Sequence, residues 1–150
     1  MLIIFVCTGN TCRSPMAEGV LKNLDIKGIE TISRGLFVPE EQRASFSSES
    51  AMKSMGIDIS AHLSKQLTME EAKKADLILT MTASHKNTVI SADEKFRDKT
   101  FTLSEFAGEN GDIADPYGQN DDVYFDCAQH ISYLVKKIDW DGIVNGKKSK

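Results

Sequence analysis

Leu2-Ile3-Ile4-Phe5-Val6-Cys7-Thr8-Gly9-Asn10-Thr11-Cys12-Arg13-Ser14-Pro15 joins an apolar run, a short polar loop and a helix start without interruption. A short apolar run closed by turn residues reads as a buried strand. Pro15 suits a first helical position, which needs no N–H, and Ser14 suits the cap before it. Strand, tight loop and helix open an α/β fold, and loops at the carboxyl ends of parallel strands are where such sheets bind ligands. Backbone N–H groups in a loop that closes onto a helix can surround phosphoryl oxygens, and the Arg13 fork can grip two of them. The guanidinium and the helix N-terminus also predict a lowered pKa for Cys7, and the thiolate is the form that attacks phosphorus.

Most free cysteines are small buried hydrophobes. That role leaves Gly9, Asn10, Arg13 and the Ser14-Pro15 helix start unexplained. A cysteine and an arginine at this spacing are common by chance; the strand before and the helix start after are what make them a site.

Strands read at Leu2 to Val6, Glu30 to Ser33, Asp76 to Thr80 and Thr100 to Leu103, with helices between them. The helices are expected from Pro15 to about Leu24, around Ser48 to Met55, near Met69 to Ala75 and near His85 to Ser91. A last amphipathic helix carries Val123, Cys127, Ile131, Leu134 and Ile138 on one face, which makes Cys127 a core residue. The pattern predicts an α/β fold with a four-stranded parallel sheet and helices on both faces.

The 150 residues suit one domain spanning 1–150, with a polar tail over about 145–150 expected to fray. A net charge of -4 argues against nucleic-acid binding. No apolar run approaches the roughly 18 residues of a membrane span, and no basic flank precedes Leu2, so a soluble cytoplasmic protein with no membrane partner is expected. Three cysteines, Cys7, Cys12 and Cys127, make no even disulfide framework. No metal-ligand spacing is present, no cofactor is expected, and His85 and His130 have no assignable partner.

Residues 1–20, MLIIFVCTGNTCRSPMAEGV, resemble the start of the low-molecular-weight protein tyrosine phosphatases, whose signature is C-x-G-N-x-C-R-S followed by Pro. Ser33 in Ile32-Ser33-Arg34-Gly35, His62 in His62-Leu63-Ser64-Lys65, and Asp115-Pro116-Tyr117 follow in the family's order. The resemblance implies a bacterial phosphatase in which Cys7 is the nucleophile and forms a phosphocysteine. Arg13 and the loop residues Thr8, Gly9, Asn10, Thr11, Cys12 and Ser14 would bind the phosphoryl group. Asp115 would be the general acid for the leaving group, then the base for water; on its own chemistry, an Asp in a Gly-bounded loop can reach over a site from outside. Ser14 would donate to the Cys7 sulfur. Asn10 is expected in a left-handed conformation, with Ser33 and His62 as the partners that stiffen the loop.

Thr11 stands where tyrosine-specific relatives carry an aliphatic residue, and in this it resembles the protein-arginine phosphatase branch. A hydroxyl and a carboxylate can satisfy the N–H groups of a phosphorylated guanidinium, which an apolar wall cannot. Tyr117 could stack on either a guanidinium or a phenol; Phe37 is a further wall residue or a core residue. Phosphorylated proteins are the expected transient partners and inorganic phosphate the product. A reversible Cys7–Cys12 disulfide is expected under oxidant. Three other readings compete. A phosphotyrosine phosphatase is the runner-up. An arsenate reductase would need resolving cysteines, which the stretch from Thr80 to Ile90 lacks. A non-catalytic phosphoprotein-binding module would not need Cys7, Arg13 and Asp115 together.

Overall fold

The computed structural model describes residues 1–148. Its sheet has four strands, every neighbouring pair parallel, with the first strand in the chain lying between the second and the third and the fourth at the far edge. The strands are β1 (Leu2–Cys7), β2 (Glu30–Gly35), β3 (Leu77–Thr80) and β4 (Thr100–Thr102). Ile3, Ile4, Phe5 and Val6 are all fully buried. A central parallel strand is covered on both faces, which is why β1 reads as a continuous apolar run and does not alternate.

Ile3 and Phe5 face a core shared with α1 (Arg13–Leu24), α2 (Phe46–Ser54) and α6 (Asp121–Lys137). Ile4 and Val6 face a second, smaller core that contains Ala72 of α3 (Met69–Lys74) and Val89 of α4 (Ala83–Ala92). The expected four-stranded sheet with helices on both faces is therefore what forms.

Boundaries differ from expectation where a side chain has another task. The last strand stops at Thr102, whose hydroxyl accepts from the Glu105 N–H and starts the short helix α5 (Leu103–Phe106). The fourth expected helix begins before His85, because the Thr82 hydroxyl caps it. At α1 the expected Ser14 cap is absent: the helix starts at Arg13, Cys12 is the N-cap, and no side chain caps it. The Ser14 hydroxyl is spent on Cys7 instead.

Residues 145–148, expected to fray, are the end of a further helix, α7 (Trp140–Lys148), while 149 and 150 lie outside the described residues. Trp140 and Val144 are buried and the Trp140 indole N–H donates to the Val135 carbonyl, so packing overrides the low helix propensity of Gly142 and Gly146.

The end of β2 sets the loop that follows β1. Cys7 pairs with Gly35 in register. The Leu36 N–H donates to the Cys7 carbonyl and the Phe37 N–H to the Thr8 carbonyl. A Cβ on Gly35 would lie 2.7 Å from the Thr8 carbonyl oxygen and 2.5 Å from Val38 Cγ2. Only glycine lets the strands and loop approach this closely. Gly35→Ala should cost about 1–3 kcal/mol of stability by overpacking; urea unfolding checks this, and an unchanged midpoint would refute the contact.

Candidate active site

The loop from Cys7 to Arg13, with Asp115 and Tyr117, lines a cavity of about 240 Å³ at the carboxyl end of β1. The sheet thus brings together residues that are far apart in sequence. A larger hollow of about 540 Å³ lies behind α1, against Glu18 and His62, and holds no nucleophile.

Asn10 organises the loop. It is fully buried with φ 59°, the left-handed conformation expected of it. Its Nδ2 donates to Ser14 Oγ at 2.7 Å and to Ser33 Oγ at 3.0 Å, and its Oδ1 accepts from the Lys65 N–H at 3.0 Å. Its carbonyl lies 2.7 Å from His62 Nε2. A carbonyl can only accept, so His62 carries its proton on Nε2. Ser33 and His62, which the sequence offered as partners of Asn10, both lie within hydrogen-bond distance of it.

The hydrogen bonds run in one direction. Ser33 Oγ donates to Glu18 Oε1 at 2.5 Å, and a carboxylate is an acceptor only. Ser14 Oγ, which accepts from Asn10, keeps its own proton for Cys7 Sγ at 2.9 Å. Glu18 was not singled out in the sequence; its position one helical turn after Ser14 on α1 was the available signal.

Cys7 is almost fully buried. Burial pushes its thiol up, opposed by hydrogen bonds from the Ser14 hydroxyl and N–H, by the Arg13 charge and by the Asn10 N–H. Against the lowering expected from the guanidinium and the helix N-terminus, desolvation is the larger effect, and the surrounding donors act against it. Burial also lowers the His62 pKa, which keeps its ring neutral against the Asn10 carbonyl.

Arg13 ties the Cys7 loop to the segment that carries Asp115. Its Nη1 donates to the Ile113 carbonyl at 2.8 Å, and its Nη2 lies 3.6 Å from Asp115 Oδ2. The Asp115 side chain remains 53% exposed, placed at the rim, and its Oδ1 accepts from the Tyr117 N–H. Tyr117 is 76% exposed and Phe37 70%, so Phe37 is not a core residue.

Thr11 lines the cavity, and its carbonyl accepts from the Ser45 N–H. Cys12 Sγ lies 3.6 Å from both Ser45 Oγ and the Tyr124 hydroxyl, contacts that the sequence did not announce. Cys127 is buried in α6, with its thiol pushed up to about 12 by desolvation. The loop's unforeseen neighbour is His85: its Nε2 lies 2.9 Å from Thr8 Oγ1.

A nucleophile over amides and a guanidinium, with a carboxyl group at the rim, is an arrangement for phosphoryl transfer. The sequence profile of the low molecular weight phosphotyrosine protein phosphatases matches residues 2–141. The chain belongs to that family and is a cysteine-based phosphatase. It is 42% identical over 137 residues to a protein-arginine-phosphatase of Geobacillus stearothermophilus, covering 91% of this chain and 92% of that protein. A low molecular weight protein tyrosine phosphatase from T. tengcongensis superposes with a TM-score of 0.86 at 46% identity, covering 91% of this chain and 96% of that one. A YwlE arginine phosphatase variant with a phosphorylated active-site serine superposes with a TM-score of 0.86 at 36% identity, covering 99% of this chain and 96% of that one.

Thiolate formation is the step most exposed to mutation. Ser14→Ala removes the largest lowering influence on Cys7, so its alkylation by iodoacetamide, which rises as the thiolate forms, should shift to higher pH. A profile that stays put or moves down would show that Ser14 is not the donor.

Proposed function

We propose that this chain is a protein-arginine phosphatase that removes the phosphoryl group from phosphoarginine side chains through a phosphocysteine on Cys7. The observation that carries the preference is that Thr11, a hydroxyl, shares the cavity with Asp115. A phosphorylated guanidinium presents N–H donors beside phosphorus, and these two side chains are acceptors for them.

In the first step Cys7 Sγ attacks phosphorus in line, forming the S–P bond as the P–N bond breaks. Asp115 gives its proton to the departing nitrogen. Arg13 and the loop amides carry the charge on the equatorial oxygens. In the second step water attacks phosphorus, Asp115 takes the water proton, and the S–P bond breaks to release inorganic phosphate. Ser14 favours the sulfur as an anion both when it attacks and when it leaves. Ser33 and His62 act through Asn10.

Substrates on this reading are phosphoproteins met transiently in the cytoplasm, with no nucleic-acid partner; no helix among the described residues is long and apolar enough to cross a membrane. The chemistry proposed uses no metal or organic cofactor. The Cys7–Cys12 disulfide is proposed as the oxidised form of the loop, both cysteines being free thiols here. Phosphotyrosine is the second reading, supported by the exposed Tyr117 ring against which a phenol could lie.

Hydrolysis of matched phosphoarginine and phosphotyrosine peptides decides between them. The parent should prefer phosphoarginine, and Thr11→Ile should shift the ratio of kcat/KM toward phosphotyrosine by about tenfold, the effect of about one hydrogen bond. A parent that already prefers phosphotyrosine would overturn the arginine reading. Separately, Asp115→Ala given 32P-labelled substrate in a single turnover should hold label on Cys7; substrate bound without phosphocysteine would remove the covalent mechanism.

A further inference from the structure

We propose that His85 is a positioning residue that holds the Thr8 hydroxyl as a hydrogen-bond donor into the phosphate cavity. His85 sits in the first turn of α4 and is only 7% exposed. Its Nε2 lies 2.9 Å from Thr8 Oγ1, and its Nδ1 is buried with no hydrogen-bond partner.

That orphaned nitrogen fixes the tautomer. A neutral imidazole has one N–H and one bare lone pair. Burying an unpaired N–H is the rarer and costlier choice, so Nδ1 is the bare nitrogen and Nε2 carries the hydrogen. The Nε2–H then donates to Thr8 Oγ1. A hydroxyl that accepts keeps its own proton to give. Thr8 lines the cavity between Cys7 and Gly9, so that proton is available to an oxyanion held there.

The ring's surroundings agree with this assignment. The charged groups that act on it are Arg13 from the loop and Asp112 and Asp115 from the acid loop; burial, with Arg13 next, lowers its pKa to about 4. The imidazole is neutral at neutral pH and adds no charge against the Arg13 guanidinium. The same helical turn reaches the acid loop, since the Ala83 N–H donates to Asp112 Oδ1 at 2.9 Å. One rigid turn thus touches both the Cys7 loop, through His85, and the Asp115 loop, through Asp112.

The proposal rests on the Cys7 loop being the phosphate site, and its test separates the two. Nitrogen-15 NMR of the imidazoles in the free protein at neutral pH should show His85 protonated at Nε2 and bare at Nδ1; the opposite tautomer would overturn the proposal. A double-mutant cycle uses His85→Phe, which fills the ring's space without a donor, and Thr8→Val. Each single change should lower kcat/KM for an aryl phosphate by about 5- to 10-fold, and the double variant should be no worse than Thr8→Val.

His85→Gln, which restores an N–H donor, should recover most of the loss. Independent, multiplying losses, or no recovery with Gln, would make His85 a packing residue and sink the idea. The same cycle is read by calorimetry on inorganic phosphate binding. A parent that binds phosphate but turns over nothing would fault the phosphatase reading, leaving the binding cycle to judge the pair.

Discussion

The conformation of Asn10 is the constraint on which this site is built. A non-glycine residue in the left-handed region costs on the order of 1–3 kcal/mol unless its surroundings hold it there. Here every polar group of the side chain is engaged: both Nδ2 donors, to Ser14 and Ser33, and Oδ1, from Lys65. Asparagine is suited on two counts, since it tolerates the left-handed region and offers donors and an acceptor on one short stem. Glu18 sets the polarity of the whole chain of bonds. As an acceptor only, it commits the Ser33 proton to itself, which leaves Ser33 Oγ to accept from Asn10. The last proton in the series is the one Ser14 presents to sulfur.

This polarity matters because the Cys7 sulfur lies in an unfavourable place for an anion. Burial raises the Cys7 pKa, yet burial is also what makes each donor around it effective, since hydrogen bonds strengthen as the local dielectric falls. Arg13 contributes charge and a mechanical link. By donating to the Ile113 carbonyl it fixes the start of the Asp115 loop relative to Cys7, with no further element between them. Ile113 is itself buried, and its N–H donates to the Met81 carbonyl at the end of β3, so the acid loop is anchored to the sheet that carries Cys7.

What could be read in the sequence was local. Strand, loop and helix start are contiguous, and left-handed Asn10 follows from the loop's tightness and the residue type. Ser33 and His62 came through resemblance, because nothing in their own surroundings marks them. Contacts set by the fold were invisible: Arg13 to Ile113, Thr8 to His85 and Cys12 to Tyr124 join residues that only the assembled sheet, α4 and α6 bring together. Ser14 shows a different limit. A serine before a proline can cap a helix or serve another partner, and the sequence does not say which; the thiol prevailed, and α1 was left uncapped. The burial that opposes the Arg13 charge at Cys7 is hidden for a related reason, since charge is visible in the sequence and desolvation is not.

On the proposed reading, selectivity at the mouth comes from hydroxyls more than from rings. Tyr117 is an exposed aromatic beside the cavity, and a ring face accepts a phenol or a guanidinium alike. Thr11 is different: it sits in the cavity wall, partly screened from water, where an unmet N–H has few other partners. A wholly buried polar wall can reject an apolar analogue by about 10⁴-fold, whereas a single methylene in an apolar pocket gives only about 10- to 200-fold. Thr11 is half-buried, so water can satisfy it when a phenol occupies the site. The discrimination therefore falls chiefly on what an aliphatic wall would do to a guanidinium and much less on what threonine does to a phenol. On this reading the chain keeps measurable activity on phosphotyrosine, and an aliphatic wall in place of Thr11 weakens the guanidinium by about the one hydrogen bond it removes.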